Sequence, residues 1–305
     1  MEAKKFSKID KEFVKIMTKA VDTRVVTQCC ANEYLVNTLP MLYSELEKCQ
    51  KALDGYLDQK RGKFPRFYFC SSPVLLQILS QGSDPLNMQK FYEKVFDSIS
   101  AVVHDPKDKT RITGFLYRKG TTTEVIDLVR VVNAKGNIED WLYDLLKAQQ
   151  ETVKKLAGEC AFGAMDVTDI ESQLRGFVDA FPAQFALMGI QMMWTADCQE
   201  ALENCTSKKS IMKETSKKQN RLLNELSSWT LTDLAADPKI GKLNRTKIEC
   251  MIIVHVHQRD VMSDLLSLYN SKKLRSANDF EWQKQARFQW KPDQNDLITG
   301  DGSMV

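Results

Sequence analysis

The chain has no run of eighteen apolar residues and no signal-peptide pattern after Met1, so no membrane span or secretory leader is expected and the cytosol is the expected compartment. None of its eight cysteines forms a C-x-x-C pair. Cys29, Cys30, Cys49, Cys70, Cys160, Cys198, Cys205 and Cys250 fall mostly at helical core positions, where cysteine acts as a small buried hydrophobe, and disulfides are not expected. An excess of either charge is missing too: 43 Lys and Arg against 40 Asp and Glu leave +3, too little to argue for nucleic acid or a membrane as partner. No repeat at a fixed period and no low-complexity tract occurs, which speaks against a solenoid. Nucleotide-binding loops are absent as well. Gly62-Lys63 and Gly241-Lys242 are followed by Phe64 and Leu243, where serine or threonine would hold magnesium, and Leu57 and Ala236 stand where the upstream glycine belongs. Neither G-x-G-x-x-G nor G-x-S-x-G occurs. The chain by itself is not expected to bind or hydrolyse a nucleotide, and no catalytic, cofactor-binding or metal-ligating residue is assigned.

What the 305 residues do contain is helical periodicity. A fold of this length buries roughly 75% of its unfolded surface without staples. Leu42, Leu46, Cys49, Leu53 and Tyr56 recur at steps of four and three, one apolar stripe on a long helix that should end near Arg61-Gly62-Lys63 with glycine as its cap. Asn32 opens the approach to this helix, and Pro40 either kinks it or marks its start. Then come Phe64-Pro65-Arg66-Phe67-Tyr68-Phe69, four aromatics in six residues, read as an extended segment pressed into the core. Ser72 is the expected N-cap of a following helix with Pro73 in its first turn. Met88, Phe91, Tyr92, Val95 and Ile99 predict a helix over 86–99, and a shorter one is expected over 9–20.

Residues 111–132 change character. Arg111 to Tyr117 and Glu124 to Val132 flank Lys119-Gly120-Thr121-Thr122-Thr123, a β-hairpin by composition and the only strands expected. Asp105 to Lys109 is a polar turn. Asn137 caps a helix with buried Ile138, Trp141, Leu142, Leu145 and Leu146. From Asp166 on every segment reads as helix. These are a face of Ile170, Leu174, Phe177 and Val178, an apolar-all-round helix over 183–204, a lysine-rich helix, and a long one over 242–270. A final helix is expected over 280–290, with Ser276 to Asp279 as its capping box. Residues 291–305 read as a frayed tail. Around Lys208 to Arg221 the neighbours favour a solvated face over a patch for an acidic partner. His255-Val256-His257 is the one metal-like cluster. On a helix those rings point about 200° apart and cannot share an ion, so a core His255 and a solvated His257 are expected. His104 is expected in a solvated turn.

Several stretches carry a resemblance. KIDKEFVKIM (Lys8 to Met17), ELEKCQKALDGYLDQKRGKFPRFYF (Glu45 to Phe69), LLQILSQGSDP (Leu75 to Pro85), GNIEDWL (Gly136 to Leu142), FPAQFALMGIQMMWT (Phe181 to Thr195), HVHQRDV (His255 to Val261) and NDFEWQKQARFQW (Asn278 to Trp290) occur in order. Together they resemble the linker region of dynein heavy chains, before the first AAA+ module. FPAQ…GIQMMWT and HVHQRD look most like axonemal outer-arm chains of the gamma type. The resemblance covers roughly residues 6–290.

The resemblance implies a mainly α fold, an elongated multi-helix arm with one small β-hairpin (about 111–132). It implies a helical part over 1–104, a hairpin insertion over 105–136, a second helical part over 137–290, and a tail over 291–305 toward an AAA+ module. The implied function is a non-catalytic lever that bends and straightens as the ring hydrolyses ATP. ATP and magnesium belong to the ring, not to this chain. The implied partners are the AAA+ ring of the same heavy chain and, indirectly, other dynein chains and microtubules, in the cytoplasm and the cytoskeleton of the ciliary or flagellar axoneme. A helical scaffold or adaptor derived from the linker is the alternative, since the sequence stops at Val305 before any AAA+ motif. Core and interface candidates are Phe64, Pro65, Arg66, Phe67 and Phe69 in the aromatic run, then Trp194, then Phe280, Trp282, Arg287, Phe288 and Trp290 in the final helix. Phe64 to Phe69 is the expected pin between helical layers. The hairpin turn departs from the family's usual acidic version, and Gln283 and Gln289 replace residues that are usually apolar or aromatic.

Overall fold

Apolar residues three and four apart dominate the sequence, and the backbone follows them into helices. The computed structural model describes residues 2–82, 84–97, 99–119, 122–232, 238–292 and 302–304. Among these are eleven α-helices, a three-stranded antiparallel sheet and a two-stranded one, so the mainly α reading with a small hairpin holds. The chain divides into two compact units: Met1–Asp97 with Lys135–Tyr143, and Ser98–Ala134 with Asp144–Val305.

In the first unit, α1 (Glu2–Thr23) is longer than its apolar spacing predicts and stops at Arg24, whose φ of 58° breaks the helix. After α2 (Val26–Cys30), α3 (Glu33–Lys63) starts where the Asn32 side chain accepts a hydrogen bond from the Tyr34 N–H at 3.1 Å. Pro40 lies inside α3. The expected stripe is not buried: Leu46, Leu53 and Tyr56 are exposed, and only Thr38, Leu42 and Leu57 of α3 face the interior. No glycine cap ends the helix. Gly62 stays helical, and Pro65 disfavours helical geometry at Phe64, which takes φ −131°, ψ 93°. The aromatic run is not extended either. Pro65–Phe69 is a 3₁₀ turn, whose three-residue period puts Phe64 and Phe67 on one side.

The next helix, α4 (Ser72–Gln81), begins one residue before expectation, with Ser71 at the N-cap and making no side-chain cap bond. The predicted helix over 86–99 is instead a 3₁₀ segment, Pro85–Phe91, running into a single turn, α5 (Tyr92–Val95). The same period-three logic buries Pro85, Met88 and Phe91 together.

The second unit opens with a strand that lacks a sequence signal, β1 (Ala101–His104), placed beside β2 (Arg111–Lys119) and β3 (Thr122–Asn133) in the order β1-β2-β3. His104 therefore sits half-buried on a strand, not in a solvated turn. The hairpin turn at 120–121 lies outside the described residues. Between the pairs Ile112↔Val132 and Gly114↔Asp127 the register shifts, so residues 128–131 bulge out of β3 opposite Thr113.

Helices α6 (Ile138–Met165, its first turns in the first unit), α7 (Ile170–Ala180), α8 (Ala183–Asn204), α9 (Ile211–Thr232) and α10 (Pro238–Asn270) follow. Leu174, Phe177 and Val178 of α7 are buried, and α8 buries residues on every side, as the sequence predicts. Two apolar cores form in this unit. One gathers Cys160, Leu174, Phe177, Ile190, Leu226 and Met251, the other Trp194, Cys198, Met212, Met262, Leu265 and Trp282.

The final helix, α11 (Phe280–Gln283), is four residues long instead of eleven. The Asp279 carboxylate accepts from the N–H groups of Arg275 and Ser276, closing the turn before α11 instead of capping it, and no side chain caps its start. Residues beyond it extend into β4 (Trp290–Pro292), which pairs antiparallel with β5 (Gly302–Met304). The rest of the expected tail, 293–301 and 305, lies outside the described residues.

Candidate functional site

The aromatic run splits by side. Phe64 and Phe67 are fully buried, whereas Tyr68 and Phe69 are 66% and 77% exposed. The buried rings meet edge to face at 5.0 Å, and Phe96 lies 6.3 Å from Phe64. Arg66 lays its guanidinium 5.1 Å from the Phe96 ring and donates to the Val95 carbonyl at 3.2 Å. Pro65 starts the turn. Arg61 donates to the Ser72 hydroxyl at 3.2 Å, tying the end of α3 to the start of α4.

Near this anchor the buried Glu139 accepts from Lys60 at 2.6 Å and from Lys63 at 3.4 Å. Burial alone would push the Glu139 carboxyl up; the Lys60 ammonium, the Glu139 N–H and Lys63 together hold it below the usual carboxylate range. The same contact raises Lys60. Gly136, two residues before α6, has φ +85°, a conformation that glycine adopts without strain.

In the second unit the hairpin is pinned by polar groups. The β3 bulge turns Arg130 toward α6, where it grips the Asp144 carboxylate with both Nη groups (2.8 and 3.1 Å) and reaches Glu151 at 2.8 Å. The Val129 N–H, freed from the ladder by the bulge, donates to the Thr152 hydroxyl at 3.1 Å. Farther along β3, the Glu124 carboxylate accepts the Ala183 N–H at 2.8 Å.

Trp194 and Trp282 stack at 5.4 Å with a 55° tilt. Their indoles donate to the Gln258 carbonyl (3.1 Å) and the Gln199 side chain (2.6 Å), so α8, α10 and α11 share one polar-satisfied aromatic centre. The Phe288 N–H donates to the Thr195 hydroxyl at 3.2 Å, and Arg287 covers Trp282 at 5.7 Å. Trp290 packs partly buried against the other core, while Phe280 is 73% exposed beneath the Lys284 ammonium. The six candidates of this region thus divide among two cores and the surface.

His255 is buried on α10, its Nε2 facing the Gln219 carbonyl and its Nδ1 the Gln258 side chain, both at 3.1 Å, and burial lowers its pKa while these two contacts oppose that. His257 is exposed on the opposite face. Among the described residues no group of three or more His, Cys, Asp or Glu could hold a metal, and no helix is long and apolar enough to cross a membrane. Four cysteines are buried, Cys70, Cys160, Cys198 and Cys205, and all eight are free thiols. A cleft of about 300 Å³ at the start of α7 is lined by Thr168, Asp169, Lys218 and Arg221 among others. Asp169 and Gln173 already accept the N–H groups there, and Lys218 is paired with Asp197 at 2.8 Å.

Residues 1–160 match the family described as dynein heavy chain, N-terminal region 2. The chain belongs to the dynein heavy-chain family. Human dynein axonemal heavy chain 8 is 42% identical to it over 298 residues, 97% of this chain and 6% of that protein. Rat dynein axonemal heavy chain 5 is 43% identical over 293 residues, 96% of this chain and 8% of the relative. The dynein gamma chain of the flagellar outer arm of Chlamydomonas reinhardtii is 40% identical over 300 residues, 97% and 6% respectively. The dynein segment described here thus spans a small fraction of each relative's length. Two of the motifs that carried the resemblance occupy packing positions: GNIEDWL holds Gly136 and Glu139, and FPAQFALMGIQMMWT forms the corner into α8 and most of that buried helix, whereas KIDKEFVKIM lies on α1, which buries no residue.

Sequence reasoning missed Glu139, Arg130, Glu124 and Lys247 as long-range partners. For Arg130 a signal existed: one arginine inside an apolar strand, and Asp144 and Glu151 seven residues apart on one face of the next helix.

Proposed function

We propose that the chain is a non-catalytic linker, a lever segment of an axonemal dynein heavy chain, coupling ATP-driven changes in an AAA+ ring to movement along microtubules in a cilium or flagellum. The observation that carries this reading is the match of 97% of the chain, at 40–42% identity, to axonemal heavy chains, together with a sequence free of phosphate-binding loops. A lever needs segments that do not slide past one another. The buried aromatic anchor and the Lys60–Glu139 pair of the first unit, and the Trp194–Trp282 pair and bidentate Arg130–Asp144 contact of the second, support that role. The partner of such a lever is the AAA+ ring of its own heavy chain, which also holds the ATP and magnesium.

The test is microtubule gliding by the heavy chain that carries this segment, with Phe67→Ala or Trp282→Ala. Gliding should slow several-fold while ATP hydrolysis continues; unchanged gliding would end the lever reading. Saturable micromolar ATP binding by the 305-residue chain alone would overturn its non-catalytic character. A scaffold or adaptor derived from the linker is the second reading, favoured by the exposed Phe6, Phe13, Met17 and Val21 of α1. It predicts a native polypeptide of 305 residues on an immunoblot, against the far larger heavy chain of the lever reading.

A further inference from the structure

The corner between α7 and α8 is built without either ordinary cap. At the end of α7 stands Phe181, not a left-handed glycine, and at the start of α8 stands Pro182, which has no side-chain oxygen to offer the free N–H groups. Two distant side chains supply what is missing. Lys247 of α10, almost wholly buried, donates from its ammonium to the carbonyls of Val178 and Phe181. Glu124 of β3 accepts the Ala183 N–H at 2.8 Å.

A cation thus faces the negative end of one helix and a carboxylate the positive end of the next. The groups they hold belong to consecutive peptide units, Phe181–Pro182 and Pro182–Ala183, so neither unit can rotate without disturbing the other's bond. Burial pushes the Lys247 pKa down, whereas Glu124 and Asp179 oppose that by favouring the ammonium.

We propose that Lys247 and Glu124 form a two-sided clamp that couples the seating of the β-hairpin to the angle of the α7–α8 corner, so that lifting β3 off the corner loosens the last turn of α7. The inference stands on the geometry of the second unit alone and does not need the lever reading. Arg130 anchors the same strand to α6; at the corner Glu124 supplies its hydrogen bond, beside Ile126, which packs against the core under α7 and α8.

Hydrogen exchange of the 305-residue chain tests the coupling, using Glu124→Ala and Lys247→Met. Glu124→Ala should speed exchange in the last turn of α7, which Glu124 does not touch, by about tenfold, the scale expected when a buried amide partner is lost. Lys247→Met should likewise speed exchange in residues 123–128 of β3, with α9 unchanged in both variants. Effects confined to each variant's own contact would overturn the clamp, as would a uniform rise across the unit. Should Lys247→Met fail to fold, Glu124→Ala decides alone, because Glu124 is itself half-exposed and Lys247 keeps both of its carbonyl acceptors in that variant.

Discussion

Replacing Phe67 by alanine puts the aromatic anchor to a quantitative test. Its ring is fully buried and sits edge-on to Phe64 at 5.0 Å. Burial of such a side chain stabilises by about 1.5–3 kcal/mol, and the lost ring pair adds about 0.5–1.5 kcal/mol. A cavity that cannot collapse brings the total to about 3–5 kcal/mol. That is a large part of the roughly 5–15 kcal/mol that holds a domain together. The first unit should therefore lose about 1 M or more from its urea midpoint. Because the chain has two units, the assay is hydrogen exchange along a urea series, reading peptides from 64–96 separately from those of 183–204. Phe69→Ala is the internal control: two residues away, 77% exposed, it should change stability by less than about 0.5 kcal/mol. Equal effects of the two substitutions would refute the period-three orientation of the run.

Other expectations follow from single contacts. A Cβ on Gly189 would lie 2.5 Å from a Phe177 ring carbon and 2.7 Å from the Cys160 sulfur, so Gly189→Ala should destabilise the second unit by about 1–3 kcal/mol in thermal melts. Glu139 has a lowered folded pKa, so its contribution is complete above the unfolded carboxylate value of about 4.3 and is lost as pH falls through the folded one. Lys60, raised, contributes fully below its unfolded value of about 10.4 and loses that at higher pH. The stability difference between wild type and Glu139→Gln should accordingly be flat from about pH 5 to 10 and shrink on either side. His255, lowered by burial, makes the fold less stable as pH drops below its unfolded value of about 6.5, and His255→Gln should remove that slope from urea midpoints measured between pH 5 and 7.

How much of this was legible depended on the range of the interactions. Helices α7 and α10 were readable because their apolar period persists over three or more turns, and α8 because it is apolar on every side. The two 3₁₀ segments were not: over five to seven residues a spacing of three fits either helix type, and the proline at each start (Pro65, Pro85) does not separate them, since α4 carries Pro73 in its first turn too. The stripe Leu46, Leu53, Tyr56 was correctly periodic yet left uncovered, since periodicity states which residues share a face and not what lies opposite. Strand β1 has four residues and no alternation, so it exists only because β2 offers it a ladder. Glu139 with Lys60, and Lys247 with the end of α7, join positions 79 and 66–69 residues apart, a separation at which charge spacing carries no signal. The resemblance placed the chain in its family. The bonds that fix its corners arise only once the chain has folded.

The stacked pair Trp194 and Trp282 has an optical consequence. Two indoles with centroids 5.4 Å apart have transition dipoles close enough to mix, and the fold holds their planes at a fixed tilt of 55°. The pair should give an exciton-split band in the far-ultraviolet circular dichroism that Trp282→Phe abolishes. Trp282 is the only bulky anchor of the four-residue α11, so the couplet vanishes whenever that segment leaves α8. The polypeptide thereby carries an unlabelled gauge of whether its C-terminal segment is docked, usable under load, nucleotide or partner alike.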